Sequence, residues 1–377
     1  MSKTNQATQV AVPLLDLQAQ YAPIQDQVLA AIAEVFQSKQ FIQGEAVRKL
    51  EAEICAYTGA KHAIGVSSGT DALLVSLMAL EIGPGDEVIT SPFTFFATAG
   101  SIARVGATPV FVDIDPKTYN IDVEKIESKI TGKTKAIMPV HLFGQMADMD
   151  PIMKLANRYK LSVIEDAAQA IGSKQKMESG ETRSAGTIGD FGTFSFFPSK
   201  NLGACGDGGM VLTNNSDLAD RVRCLSNHGS HPKYYHSVVG GNFRLDSMQA
   251  AILSCKLPYA DSHHEGRQRH AAIYDQELRW VGTPEVDPKN TSIYNQYTIR
   301  TPKRAKLEQA LQDANIGHAI YYPLPLNKQE CFKYLNQAHS CPEAEAAAGE
   351  VLSIPVFMEL SEEQVSRVIS VVNEATR

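Results

Sequence analysis

Three short stretches of this 377-residue chain place reactive side chains where apolar runs end. In FSFFPSKNLGACGDGG, residues 194–209, Lys200 leaves an aromatic run and enters a glycine-rich turn. An amine in an apolar, partly desolvated setting holds its proton less tightly and becomes a nucleophile able to form a Schiff base. The glycines at 203, 206, 208 and 209 leave room for a bulky ring. A lysine snorkelling from a β-hairpin would read the same way in this stretch alone. In VIEDAAQAIG, 163–172, an apolar strand ends in Glu165 and Asp166. Open α/β sheets bind ligands at that edge, and a carboxylate there could hold a cationic ring nitrogen in its protonated form. Asp166 could equally cap a helix. In SSGTDALL, 67–74, small residues open a helix after an apolar strand. Such an N-terminus offers unpaired N–H groups and a positive dipole end to a phosphate. Ser68 or Thr70 as an ordinary cap is the other reading.

Taken together, the three stretches have a common chemistry. A phosphate cradle, a carboxylate for a ring nitrogen and an amine for an aldehyde are what pyridoxal 5′-phosphate requires. An aromatic face is also wanted, and SPFTFFATAG, 91–100, offers Phe93, Phe95 and Phe96.

Elements that could position these groups alternate along the first two-thirds of the chain, the pattern of an α/β domain with a mostly parallel sheet. Strands are expected at 62–66, 86–90, 108–114, 135–142, 161–166, 192–197 and 208–214. Helices are expected at 71–80, 94–105, 149–159, 247–257 and 259–280. The runs 192–197 and 208–214 are too close for a helical crossover, so one of them should run antiparallel or sit at an edge. The tail reads as a small α+β domain, with strands at 292–301 and 317–324 and helices at 304–314 and 361–375. The division is expected near Pro258, giving a large domain 1–258 and a small domain 259–377.

Bulk properties narrow the partners. A net charge of −7 lacks the basic face that nucleic acid or an anionic membrane needs. No run of about 18 apolar residues and no signal-peptide core occurs, so a cytoplasmic protein is expected. The six cysteines are scattered without a CxxC, and His263–His264 has no partner cluster, so neither a disulfide frame nor a metal site is expected.

The motifs SGTDAL, PFTFFATA, VFVDIDPKTYNID, PVHLFGQMADMD, VIEDAAQAIG, SFFPSKNLGACGDGG and GGNFRLDSMQAAIL, in this order, resemble the DegT/DnrJ/EryC1/StrS sugar-nucleotide aminotransferases. The resemblance runs from PLLDLQAQY (13–21) to YYPLPLNKQ (321–329). It implies a fold-type I pyridoxal phosphate enzyme with a seven-stranded α/β/α large domain, working as a homodimer with shared active sites. It implies that Lys200 bonds the cofactor and moves the proton, and that Asp166 meets the ring nitrogen. Gln169 would lie near the ring face or its 3-oxygen, and Phe95 would stack on the opposite face. Gly69, Thr70 and Ser195 would bind the phosphate, joined by Asn242 from the partner subunit. Arg244 would approach the partner's substrate, and Tyr321 and Tyr322 the sugar nucleotide. The 228–241 segment, with Tyr234, Tyr235 and His236, looks like a substrate-side loop. Lys200 stands where some related sugar dehydratases carry histidine, which favours transamination. Asn327 replaces a histidine common in the family, and with SIYNQYTIR it resembles the enzymes that aminate a UDP-N-acetyl-3-oxo-uronic acid. The implied reaction moves an amino group from L-glutamate to such a 3-keto sugar nucleotide. A dTDP-3-keto or 4-keto deoxyhexose substrate, an aminocyclitol substrate, and a non-catalytic pyridoxal phosphate-binding regulator are the alternatives.

Overall fold

The structure, a computed structural model, describes residues 11–232 and 234–377. The apolar runs of the first half form strands β1 (His62–Val66), β2 (Glu87–Thr90), β3 (Thr108–Phe111), β4 (Thr134–Met138) and β5 (Ser162–Asp166). A short ribbon follows, β6 (Lys174–Lys176) and β7 (Thr182–Ser184), and then β8 (Phe191–Ser195) and β9 (Gly209–Thr213). Seven of these make one sheet in the order β1-β9-β8-β5-β4-β2-β3. β9 pairs antiparallel with both β1 and β8, and the other pairings are parallel. This fulfils the expectation for the 192–214 region, with the reversed strand inside the sheet and not at its edge. Strands covered on both faces read as continuous apolar runs, as β9 and the Ala136–Met138 part of β4 do.

One face of the sheet packs on the helices Glu45–Thr58, Met149–Tyr159 and Ser247–Lys256 around Leu50, Ile54, Ile152 and Leu253. The other face packs on Gly69–Ala79, Ala97–Arg104 and Ser216–Leu225 around Leu73, Leu77, Ile102 and Val222. The helix Gly69–Ala79 buries Ala72 through Leu77 in succession. A helix apolar on all sides must be enclosed, and enclosure fixes where its N-terminus points.

In the tail, β10 (Asn290–Thr291) joins the β6–β7 ribbon, while β11 (Tyr297–Arg300) pairs antiparallel with β12 (Val351–Ile354). This pair packs with the helices Ala260–Glu277, Arg304–Asp313 and Glu362–Thr376 in a separate core that also takes in Val12. The turn Leu257–Tyr259 separates the helices ending at Lys256 and starting at Ala260. We propose the domain division at this turn, with the Val12 segment joining the C-terminal body.

Two readings need correction. The strand expected over 292–301 is confined to Tyr297–Arg300. No strand spans 317–324. Its pairing stops at a single bridge from Ala319 to Ser353 and a bond from the Gly317 N–H to the Val12 carbonyl. Pro323 and Pro325 have no N–H to extend a ladder, and Tyr321 and Tyr322 turn toward a cavity. The partner of β11 is β12, whose four residues follow the helix Pro342–Glu350 directly and had no sequence expectation. Among the described residues, no helix is long and apolar enough to cross a membrane.

Candidate active site

Strands β1, β5 and β8 end at the same edge of the sheet, and a cavity of about 450 Å³ opens there. Gly69, Thr70, Phe95, Asp166, Gln169, Ser195, Lys200, Tyr321 and Tyr322 all line it. Residues expected from separate stretches of sequence thus meet around one space.

The loop that carries Lys200 is closed by two backbone bonds. The Phe196 N–H donates to the Gly208 carbonyl, and the Ala204 N–H donates to the Phe196 carbonyl, each at 2.8 Å. The Lys200 N–H donates to the Phe197 carbonyl, also at 2.8 Å, and turns the side chain into the cavity. Burial lowers the Lys200 amine to about 8, partly opposed by the negative charge of Asp166.

Asp166 is buried at the end of β5. Its Oδ2 accepts a 2.7 Å bond from the Thr98 hydroxyl, and its Oδ1 a longer 3.3 Å bond from the Ala168 N–H. Burial pushes this carboxyl up, against the opposing pull of Thr98, the Ala168 N–H and Lys200. A desolvated carboxylate held by so few donors suits a cationic partner.

Glu165, one residue earlier, faces the opposite side of the sheet, because strand side chains alternate. It is fully buried. Its oxygens accept from the N–H groups of Gly186, Ile188 and Gly189 at 2.7–2.9 Å, and from His141 Nε2 at 2.8 Å. The Ala147 N–H donates to His141 Nδ1, so the ring proton lies on Nε2 and is given to Glu165. Although burial alone would raise it, these donors hold the Glu165 carboxyl below its ordinary range. The pair anchors the backbone beside Asp166, since the backbone N–H of His141 donates to the Asp166 carbonyl at 2.9 Å.

The helix Gly69–Ala79 starts at the cavity, with Ser68 as its cap through a 3.0 Å bond from the Asp71 N–H. A Cβ on Gly69 would lie 2.6 Å from Ser195 Cβ, and one on Gly209 would lie 2.4 Å from the Ser68 carbonyl. Strand ends and helix start are therefore pressed together, which leaves bare N–H groups facing the space. The Ser195 hydroxyl accepts only a 3.4 Å contact from the Phe197 N–H and keeps its proton to donate. Gly69→Ala should force this cradle open. Overpacking costs about 1–3 kcal/mol, so phosphate-dependent cofactor affinity should fall about 10- to 100-fold, as a fluorescence titration would report.

Gln169 accepts at Oε1 from the Phe143 N–H at 2.8 Å and donates from Nε2 to the Tyr322 hydroxyl at 3.2 Å. Phe95 is 59% exposed and presents a free ring in the cavity, whereas Phe93 is buried and Phe96 stacks on Phe332. Asn242 and Arg244 do not line this cavity. They line an adjoining hollow of about 490 Å³ that shares Ser68 and Asp207 with it. Arg244 Nη1 donates to Asn227 Oδ1 at 2.9 Å. Tyr234 and Tyr235 stand exposed on the surface, and Lys233 between His231 and them lies outside the described residues. Asn327 is buried and does not line the cavity; its Nδ2 donates to the carbonyls of Gln337 and Ala338.

Sequence reasoning assigned no role to Thr98, Glu165, His141 or Gln296. Gln296 lines the cavity with a buried Oε1 that has no hydrogen-bond partner in the structure. Period-two alternation in β5 is the signal that separates Glu165 from Asp166.

The model of the DegT/DnrJ/EryC1/StrS aminotransferase family matches residues 23–373. This chain belongs to that family. Among relatives of the aminotransferase, one from Geobacillus stearothermophilus named pleiotropic regulatory protein is 52% identical, covering 97% of this chain and 99% of its own. The UDP-N-acetyl-3-dehydro-alpha-D-glucosamine 3-aminotransferase of Acidithiobacillus ferrooxidans is 47% identical over 96% and 97% of the two chains. The UDP-2-acetamido-2-deoxy-3-oxo-D-glucuronate aminotransferase of Pseudomonas aeruginosa is 44% identical over 92% and 95%. The crystal structure of DesV from S. venezuelae, in complex with a ketimine intermediate, superposes with a TM-score of 0.93 at 40% identity, covering 97% and 99%. That of NtdA from Bacillus subtilis with bound cofactor PMP gives 0.89 at 30% identity, covering 97% and 85%.

Proposed function

We propose that the protein is a pyridoxal 5′-phosphate-dependent aminotransferase that moves an amino group from L-glutamate to the C3 keto group of a UDP-2-acetamido-3-oxo sugar, of the uronate type. The observation that carries this reading is the meeting of the Lys200 amine and the Asp166 carboxylate in one cavity with a bare helix N-terminus. The residues present fit the cofactor. The N–H groups at Gly69 and Thr70 and the Ser195 hydroxyl would hold its phosphate, and Asp166 its ring nitrogen. Phe95 would cover one ring face, and Gln169 would lie against the ring near its 3-oxygen.

Bound pyridoxal phosphate supplies an electron sink for the carbanion formed when an amino acid gives up its α-proton. The chain's own residues do the rest. Asp166 keeps a fixed negative charge at the floor of the site, steadied by the Thr98 hydroxyl. Lys200 Nζ, poised near neutral pH, can bond a carbonyl carbon, accept a proton and return it. Tyr322, kept a neutral phenol by burial, is tied to Gln169 and closes one wall with Tyr321. Asn242 and Arg244 complete the site of a second copy in a homodimer; their position outside their own cavity supports this.

The names of the Acidithiobacillus and Pseudomonas relatives share a UDP carrier, an N-acetylated sugar and an oxidised C3. They differ at C6. Protein charged with the amine form of the cofactor, offered UDP-3-oxo sugars with either C6 group and dTDP-3-keto and 4-keto deoxyhexoses, should aminate the UDP-3-oxo-uronate fastest. A preference of tenfold or more for a dTDP or 4-keto substrate would overturn the substrate reading. The Geobacillus relative's name favours one rival, a regulator that binds the cofactor without turnover. Formation of 2-oxoglutarate from glutamate by the loaded protein excludes it.

A further inference from the structure

A second lysine, fully enclosed by the fold, has no part in the chemistry described so far. Lys256, the last residue of the helix Ser247–Lys256, is 3% exposed. Among the described residues no carboxylate lies within ion-pair distance of it. Its Nζ donates to the Gly203 carbonyl at 2.6 Å, to Gln20 Oε1 at 3.1 Å and to the Tyr21 hydroxyl at 3.1 Å. It also sits 4.4 Å from the centre of the Tyr21 ring. A buried ammonium without a counter-ion is costly unless every proton is used. Here the acceptors come from two chain segments far apart in sequence, residues 20–21 and the loop that bears Lys200.

The rest of that loop is tied to the same helix and to Tyr21. The Cys205 N–H donates to Gln249 Oε1 at 2.9 Å, and Cys205 Sγ donates to the Tyr21 hydroxyl at 3.3 Å. The Tyr21 hydroxyl also reaches the Gly203 carbonyl at 3.4 Å. The loop backbone is closely folded at Gly203, where an added Cβ would lie 2.4 Å from the Pro198 carbonyl oxygen. The Gly203 carbonyl, three residues from Lys200, is thus held by the Lys256 ammonium and the Tyr21 hydroxyl.

We propose that Lys256 is a positioning residue: its ammonium fixes the 196–208 loop, and through it the Lys200 amine, to the N-terminal segment at Gln20 and Tyr21. The catalytic consequence rests on the aminotransferase reading above; the structural one does not. Lys256→Met keeps the buried stem and removes the three donors. In cofactor-free Lys256→Met, amide hydrogen exchange in the peptide spanning 200–206 should speed up about 10- to 100-fold, the size of one charge-assisted hydrogen bond. Peptides from β4 and β5 should exchange as in the wild type. In the loaded enzyme kcat should fall by about the same factor, with KM for the keto sugar nucleotide within about twofold. Unchanged exchange at 200–206 overturns the proposal, and so does faster exchange there with an unchanged kcat. Should Lys256→Met exchange faster throughout, Tyr21→Phe decides. It keeps the ring and removes one acceptor, and it must loosen 200–206 alone by about threefold or the proposal fails. A wild type without transaminase activity, but with exchange at 200–206 sensitive to Lys256, would sink the functional reading and leave the loop tie standing.

Discussion

Lys200→Ala should fold as the wild type does and lose at least about 10³-fold in turnover, because both the covalent hold on the cofactor and the proton carrier go at once. The visible absorption of cofactor bonded to the protein should vanish with it. The direction of the Lys200 shift adds a pH signature. Burial lowers its amine from the ordinary lysine range to about 8, so the neutral, bonding form dominates above that pH. Capture of pyridoxal phosphate by cofactor-free protein should rise about tenfold per pH unit up to about pH 8 and then level off. An ordinary surface lysine would show a rise continuing to about pH 10. Stopped-flow absorbance between pH 6 and 10 separates the two, and a rate without a bend near 8 removes the desolvated amine from the account.

Asp166→Asn should show activity and stability moving in opposite directions. An amide carries no charge to keep a ring nitrogen protonated, so kcat should fall about 10²- to 10⁴-fold, with Asp166→Glu retaining more. For stability the sign follows from the shift. The folded Asp166 carboxyl is raised by burial. Its ionised form is therefore less favourable in the folded chain than in the unfolded one, and at pH 7 that is a cost to folding. Removing the charge should leave the melting temperature of the cofactor-free protein unchanged or higher. Such opposition marks a group kept for function. A variant that loses stability and activity together would mean that Asp166 serves the fold.

Much of this site was legible because its parts sit at element ends that sequence marks clearly. The strand ending at Val66, with small residues before an all-apolar helix, gave the cradle; the aromatic strand broken by Pro198 and glycines gave Lys200. Less legible were partners that depend on which face a residue takes or on contacts distant in the chain. Glu165 and Asp166 looked alike until alternation in β5 sent them to opposite sides. Thr98 reaches Asp166 across 68 residues. Asn327, part of the motif that resembles one substrate class, lies outside the cavity, and its Nδ2 donates to the 337–338 carbonyls, contacts a motif alone does not reveal. Strand-like composition misled at 317–324, where tyrosines line a cavity and prolines interrupt pairing. The helices Gln25–Ser38 and Glu45–Thr58 went unassigned although Val47, Leu50 and Ile54 recur at helical spacing.

Among the described residues, two lysines, Lys200 and Lys256, have amines that desolvation lowers to about 8, and only Lys200 faces the cavity. Borohydride reduction of the pyridoxal phosphate-loaded protein, followed by peptide mapping, asks directly which amine bonds the cofactor. The label should fall on Lys200 alone, at one per chain. Label on Lys256 or on surface lysines, with Lys200 unmodified, would contradict the account.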